Sequence, residues 1–112
     1  MGSTDDGARR GEACSTFTST IGGVMTAEVG AVTGELEVVT RPAEGTLEVF
    51  IRYAGAEEWY TVEGSPIELE NGADLSSSEL RELHERVVRY LARPGRIVDG
   101  NEEPTSLFGF SP

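Results

Sequence analysis

The chain has 112 residues, a net charge of −11 and a sequence pI near 4.4. This length predicts one domain, and the acidic balance argues against direct binding of nucleic acid through a basic face. No apolar run approaches the roughly 18 residues of a membrane span, so we expect a cytoplasmic protein that does not enter a membrane. One cysteine and one histidine cannot form a disulfide within the chain or a Cys/His zinc set. We therefore predict no metal site and no cofactor.

The first 23 residues are rich in glycine, serine and threonine and show no apolar periodicity. Such a composition buries too little apolar surface to offset the entropy of ordering the chain. We therefore expect residues 1–23 to form a disordered N-terminal arm, with Cys14 as a free thiol on it.

The clearest strand is predicted over residues 46–53, where Leu47, Val49 and Ile51 point inward and Phe50 points to the opposite side. Turn sequences rich in proline and glycine separate it from its neighbours. Three further alternating stretches are residues 35–38, 58–62 and 67–70. Together these stretches predict an antiparallel meander of three or four strands.

A helix is predicted over residues 76–93, because Ser76 and Glu79 match a capping box and Pro94 ends the pattern. Its apolar residues recur on one face, and a lone helix cannot bury such a face. They are Leu80, Leu83, Val87, Val88 and Leu91. The sequence therefore predicts one α+β domain over residues 24–98, a two-layer sandwich with the C-terminal helix packed on one face of the sheet.

Residues 99–112 are interpreted as a C-terminal tail. Its large apolar residues are Leu107, Phe108 and Phe110. We call the side of the sheet opposite the helix the outer face, and it should carry Phe50 and either Trp59 or Tyr60. We expect the tail to dock on this aromatic face, because apolar residues of this size are rarely left in water without cause.

His84 is the only histidine and adjoins the apolar face of the helix. A catalytic histidine needs a partner within hydrogen-bond reach, and the sequence offers no companion motif for one. We interpret His84 as a structural residue at the boundary of helix and sheet, with a functional polar group as the alternative. Because the sequence also lacks a nucleophile motif, it favours a protein that is not an enzyme.

Charge is segregated along the chain. Residues 24–75 contain eleven acids and two arginines, whereas residues 76–96 contain five arginines and three glutamates. An acidic field of this kind attracts a basic protein partner and speeds its association. The residues assigned to this partner surface are Glu37, Glu48, Phe50, Glu57, Glu58 and Trp59.

The leading hypothesis is therefore a small acidic, non-catalytic binding or regulatory module that acts through a protein–protein surface. A second hypothesis is a small-molecule-binding domain or minor enzyme that uses the aromatic outer face, with His84 or Tyr60 as its polar group. Self-association as a homodimer, through a sheet edge or through the aromatic face, is a further alternative.

Overall fold

The structure, a computed structural model, describes residues 11–70 and 74–112. These residues form nine strands and one helix. The strands are β1 (Ala13–Thr18), β2 (Val24–Thr26), β3 (Gly30–Val32), β4 (Glu35–Ala43), β5 (Thr46–Tyr53), β6 (Tyr60–Thr61), β7 (Ile67–Glu68), β8 (Ile97–Val98) and β9 (Asn101–Glu102). The helix is α1 (Ser77–Leu91).

One antiparallel sheet dominates the fold, in the order β1-β4-β5-β6, and β7 pairs with the first residues of β5. The hairpin of β2 and β3 joins this sheet through a bridge between Thr26 and Val62. Strands β8 and β9 form a separate hairpin after the helix. The predicted α+β class, with an antiparallel sheet and one helix on one face, is confirmed.

Strand β1 corrects the prediction of a disordered arm over residues 1–23. Its register with β4 runs from Ala13 opposite Thr40 to Thr18 opposite Glu35. The apolar alternation is weak here because Ser15 lies on the inner face, the side of the sheet that the helix covers. Residues 1–10 lie outside the described part of the chain.

The helix begins as its sequence predicts. The Ser76 hydroxyl accepts a hydrogen bond from the Glu79 backbone N–H at 3.1 Å, and the Glu79 carboxylate accepts one from the Ser76 N–H at 2.8 Å. These two bonds satisfy amides that the first turn leaves without helical partners. The buried side of α1 packs on β1 and β4. Its buried residues are Leu80, Leu83, His84, Val87 and Leu91.

The C-terminal tail packs against α1 and β2, which corrects the expectation that it docks on the outer face. Leu107 is buried in the core, and the ring of Phe110 meets that of Tyr90 edge-on at 5.3 Å. Thr105 pairs with Val24 in a parallel bridge. Backbone pairing with β2 thus directs the tail to the helix side of the molecule. Within residues 11–70 and 74–112, no helix is long and apolar enough to cross a membrane.

Candidate functional site

Two arginines organise the outer face of the sheet. The register places Arg41 opposite Glu48 and Arg52 opposite Glu37. Arg41 lies 3.0 Å from the Glu48 carboxylate and 3.4 Å from that of Glu12, and the Arg52 Nε donates to Glu37 at 2.7 Å. Glu37 and Glu48, two acids predicted for the partner surface, therefore each have an arginine from the neighbouring strand as a counter-ion.

The same arginines lie over the aromatic residues of the outer face. The Arg41 guanidinium carbon is 5.0 Å from the ring centre of Phe50, and that of Arg52 is 4.4 Å from the ring centre of Trp59. Both distances are within the range of cation–π attraction. The aliphatic parts of an arginine side chain also shield apolar surface from water. The outer face is thus covered by its own arginines rather than by the tail.

Cys14 extends this network to the edge strand β1. Its thiol donates a hydrogen bond to the Glu37 carboxylate at 3.1 Å. Burial, together with this hydrogen bond to Glu37, raises the pKa of the Cys14 thiol to about 12. The hydrogen bond from Arg52 holds the pKa of Glu37 below its usual range. The cysteine is therefore a protonated donor at neutral pH and a poor nucleophile.

The loop between β5 and β6 carries acids of a different kind. Glu57 and Glu58 are both exposed, and among the described residues neither takes part in an ion pair. Glu58 accepts a hydrogen bond of 3.3 Å from the Tyr60 hydroxyl, and burial and this carboxylate raise the pKa of Tyr60. Trp59 follows directly and is 36% exposed. We call Glu57, Glu58 and Trp59 the acidic corner.

His84 lies on the inner face, away from these residues. Its Nε2 atom is 2.8 Å from the Ser15 hydroxyl and its Nδ1 atom is 2.9 Å from the Thr40 hydroxyl. A neutral imidazole donates from one nitrogen and accepts at the other, so two hydroxyls satisfy both. Burial lowers the pKa of His84, which favours this neutral form. The arrangement joins α1 to two strands and supports the structural interpretation of His84.

The structure thus divides the predicted site residues between three places. Glu37, Glu48, Phe50 and Trp59 lie on the outer face, Glu57 and Glu58 lie in the loop beside it, and His84 lies inside. Sequence reasoning missed the residues that pair with them. These are Glu12, Cys14, Ser15, Thr40, Arg41 and Arg52.

The sequence did contain a signal for the arginine pairs. A two-residue turn at Glu44 and Gly45 joins β4 to β5, and its length fixes which residues face one another. Counting outward from that turn brings Arg41 opposite Glu48. No comparable local signal connects Cys14 to the sheet, because its contacts come from pairing across 23 residues or more.

Comparisons of the chain with models of protein families, with curated proteins and with solved structures give no significant match. In residues 11–70 and 74–112, no three His, Cys, Asp or Glu side chains are grouped so that they could hold a metal ion. The candidate site is therefore defined by its geometry and charge alone.

Proposed function

We propose that the protein is a small, non-catalytic binding module whose acidic corner binds a basic segment of a partner protein. The proposal depends on a contrast within one surface. Glu37 and Glu48 have arginine counter-ions, whereas Glu57 and Glu58 are exposed and have no ion-pair partner in the described part of the chain. A partner that supplied arginine or lysine would give Glu57 and Glu58 the counter-ions that Arg41 and Arg52 already give to Glu48 and Glu37.

The distribution of charge supports the acidic corner as the binding surface. Residues 24–75 contain two arginines, Arg41 and Arg52, and both already contact carboxylates on the outer face. The negative field near Glu57 and Glu58 is therefore not cancelled by neighbouring cations of the sheet. Such a field steers a basic partner and raises its association rate, and salt weakens the effect.

Trp59 supplies the apolar contact that exposed charges lack. Surface ion pairs contribute only about 0–1 kcal/mol each, whereas buried tryptophans often dominate the energy of an interface. Arg52 holds one part of the Trp59 ring in place, and the ring remains 36% exposed. A basic segment lying along the corner would cover this surface while its cations meet Glu57 and Glu58.

The candidate nucleophiles support a non-catalytic role. Cys14 is held as a protonated thiol by burial and by Glu37. His84 is 4% exposed, and both its ring nitrogens face hydroxyls of the inner face. Neither residue is arranged to take a proton from a bound substrate.

The experiment uses Trp59, the single tryptophan, as a fluorescent reporter. The probe is a short peptide in which arginine alternates with serine, and the control peptide has glutamate in place of arginine. We expect a saturable change of Trp59 fluorescence with the basic peptide at low salt, weaker binding at high salt, and no response to the acidic peptide.

A matched pair of variants tests the location. The variant Glu57→Gln with Glu58→Gln should weaken binding by about two- to thirtyfold, the sum expected for two exposed ion pairs. The control, Glu68→Gln with Glu82→Gln, makes the same change of net charge at two other exposed positions. Equal weakening by both variants would show that only net charge matters, and no fluorescence change at low salt would also overturn the proposal.

A further inference from the structure

The outer edge of β1 presents unpaired backbone groups. Strand β1 is at one end of the sheet order, and the Ser19 N–H donates to the Gly34 carbonyl at 2.9 Å in register with the β1–β4 ladder. Because backbone hydrogen bonds alternate in direction along an antiparallel strand, the N–H and C=O groups of the odd-numbered residues of β1 point toward β4. The N–H and C=O groups of Cys14, Thr16 and Thr18 therefore point outward, and none of them bonds to another described residue.

Within the described part of the chain, β1 lacks the charged residues and prolines that often keep a sheet edge from pairing. The sequence of β1 is Ala-Cys-Ser-Thr-Phe-Thr, which contains no charge, proline or glycine. Of the acids beside it, Glu37 lies 2.7 Å from Arg52, and Glu12 lies 3.4 Å from Arg41, which also pairs with Glu48. Glu35 instead accepts a hydrogen bond of 3.1 Å from the Thr18 hydroxyl. In a protein of net charge −11, β1 is thus an uncharged strand, and arginines contact two of the three acids beside it.

We infer that β1 pairs in antiparallel fashion with β1 of a second copy of this chain, about a two-fold axis through Thr16. Thr16 then meets Thr16 of the partner subunit, and Cys14 meets Thr18 of the partner subunit. Each of the three outward residues lies in a hydrogen-bonded pair, so three N–H groups from each of two copies donate six inter-subunit bonds. The two sheets become one continuous sheet, and the contact is self-complementary as two-fold symmetry requires.

A second copy suits this edge better than a basic segment does. The paired residues are small and uncharged in both copies, so no like charges face one another across the axis. A basic segment is instead attracted to Glu57 and Glu58, which lie in the loop at the far side of β5. The two surfaces are therefore separate, and dimerisation does not depend on the acidic corner.

Thr16→Pro tests the inference directly. Proline removes the outward N–H and fills its place with a ring, yet removes no bond to β4, because the Thr16 amide faces away from β4. Thr16→Val keeps the N–H and is the matched control. In analytical ultracentrifugation over a concentration series, we expect the unmodified chain and Thr16→Val to dimerise and Thr16→Pro to lower the association constant by at least about tenfold.

Circular dichroism and thermal unfolding of the dilute variants establish whether Thr16→Pro still folds. Amide hydrogen exchange of the unmodified chain adds a test that needs no variant. Protection of the Cys14, Thr16 and Thr18 amides should rise with concentration, whereas the Ser15 and Phe17 amides should be protected at every concentration.

Three outcomes would overturn the inference. The first is a chain that remains monomeric at the highest concentration, and the second is a dimer that a folded Thr16→Pro variant leaves intact. The third is protection of the outward amides that does not vary with concentration, which would show that the edge is occupied within one chain.

Discussion

The Nε2 atom of His84 lies 2.8 Å from the hydroxyl of Ser15, which precedes it by 69 residues. Its Nδ1 atom lies 2.9 Å from the hydroxyl of Thr40, a fully buried residue of β4. One imidazole thus holds the helix against two neighbouring strands through directional bonds. The surrounding aliphatic residues contribute packing but no comparable fixed register between helix and sheet.

His84→Ala should lower the free energy of unfolding by about 2–5 kcal/mol, because it leaves a cavity and a buried Thr40 hydroxyl without its partner. Urea unfolding followed by circular dichroism measures the change. Glu82→Ala, an exposed change on the same helix, should stay within about 0.5 kcal/mol of the unmodified protein. Equal stability of the two variants would contradict the structural role of His84.

Stability should decrease in two steps as the pH falls. Burial lowers the folded-state pKa of His84 below its ordinary value of 6.5, while Glu85 opposes this shift. The unfolded chain therefore binds the extra proton first, so the stability from neutral His84 is complete above about pH 6.5 and decreases from there toward the folded-state pKa.

A second decrease should begin below about pH 4.5. Hydrogen bonds from Arg52 to Glu37 and from Thr61 to Glu28 lower the pKa of these two carboxylates in the folded state, so the stability they contribute is lost as they become protonated. Urea unfolding at a series of pH values separates the two steps. His84→Gln should abolish the upper step and keep the lower one, and an unchanged upper step would assign it to another group.

The Cys14 thiol should react slowly with iodoacetamide. A pKa of about 12 leaves about one thiol in ten thousand ionised at pH 8. Glu37→Gln should accelerate the reaction, because it removes a negative charge and the acceptor of the thiol hydrogen bond. Glu48→Gln makes the same charge change at a residue that does not bond to Cys14, so equal acceleration by both variants would contradict the assigned cause.

Leu107→Ala should destabilise the fold by about 2–5 kcal/mol, since Leu107 is 3% exposed and belongs to the core. Phe108→Ala, at the adjacent position, removes a ring that is 65% exposed and should change the free energy of unfolding by less than about 0.5 kcal/mol. Chemical unfolding of the two variants measures both values. A reversed order would show that the tail packs through Phe108 rather than through Leu107.

The sequence predicted the elements that depend on residues close together in the chain. Ser76 and Glu79 form the predicted capping box, and the alternation around Phe50 placed that ring on the outer face. Strand β1 was not predicted, because a polar residue, Ser15, occupies one of its inward positions. The hydroxyl of Ser15 has a hydrogen-bond partner there only because the helix brings His84 to it. Its strand character depends on pairing with β4, which no short window of sequence contains.

The site shows the same division. Glu57 and Glu58 were assigned to the partner surface from their charge, but Glu58 was predicted to begin a strand, whereas the structure starts that strand at Tyr60 and leaves both acids exposed in the loop before it. The pairing of Glu37 with a counter-ion was not predicted, because it depends on the register that sets Arg52 opposite it, and Glu37 also accepts a hydrogen bond from a thiol of β1. A count of charges along the chain gives the net charge, but only the register of the strands shows which acids are paired with an arginine and which are not.

Thr105 donates a hydrogen bond to the carbonyl of Gly23, 82 residues earlier, and thereby completes the pairing of β2. During synthesis the hairpin of β4 and β5 has both strands available long before residue 105 is made. Until then Val24, fully buried in the finished molecule, lacks its parallel neighbour, and the core lacks Leu107. A chain that ended before Thr105 would therefore retain every strand of its main sheet, yet leave exposed to water the apolar surface that Leu107 and the pairing with β2 cover in the finished molecule.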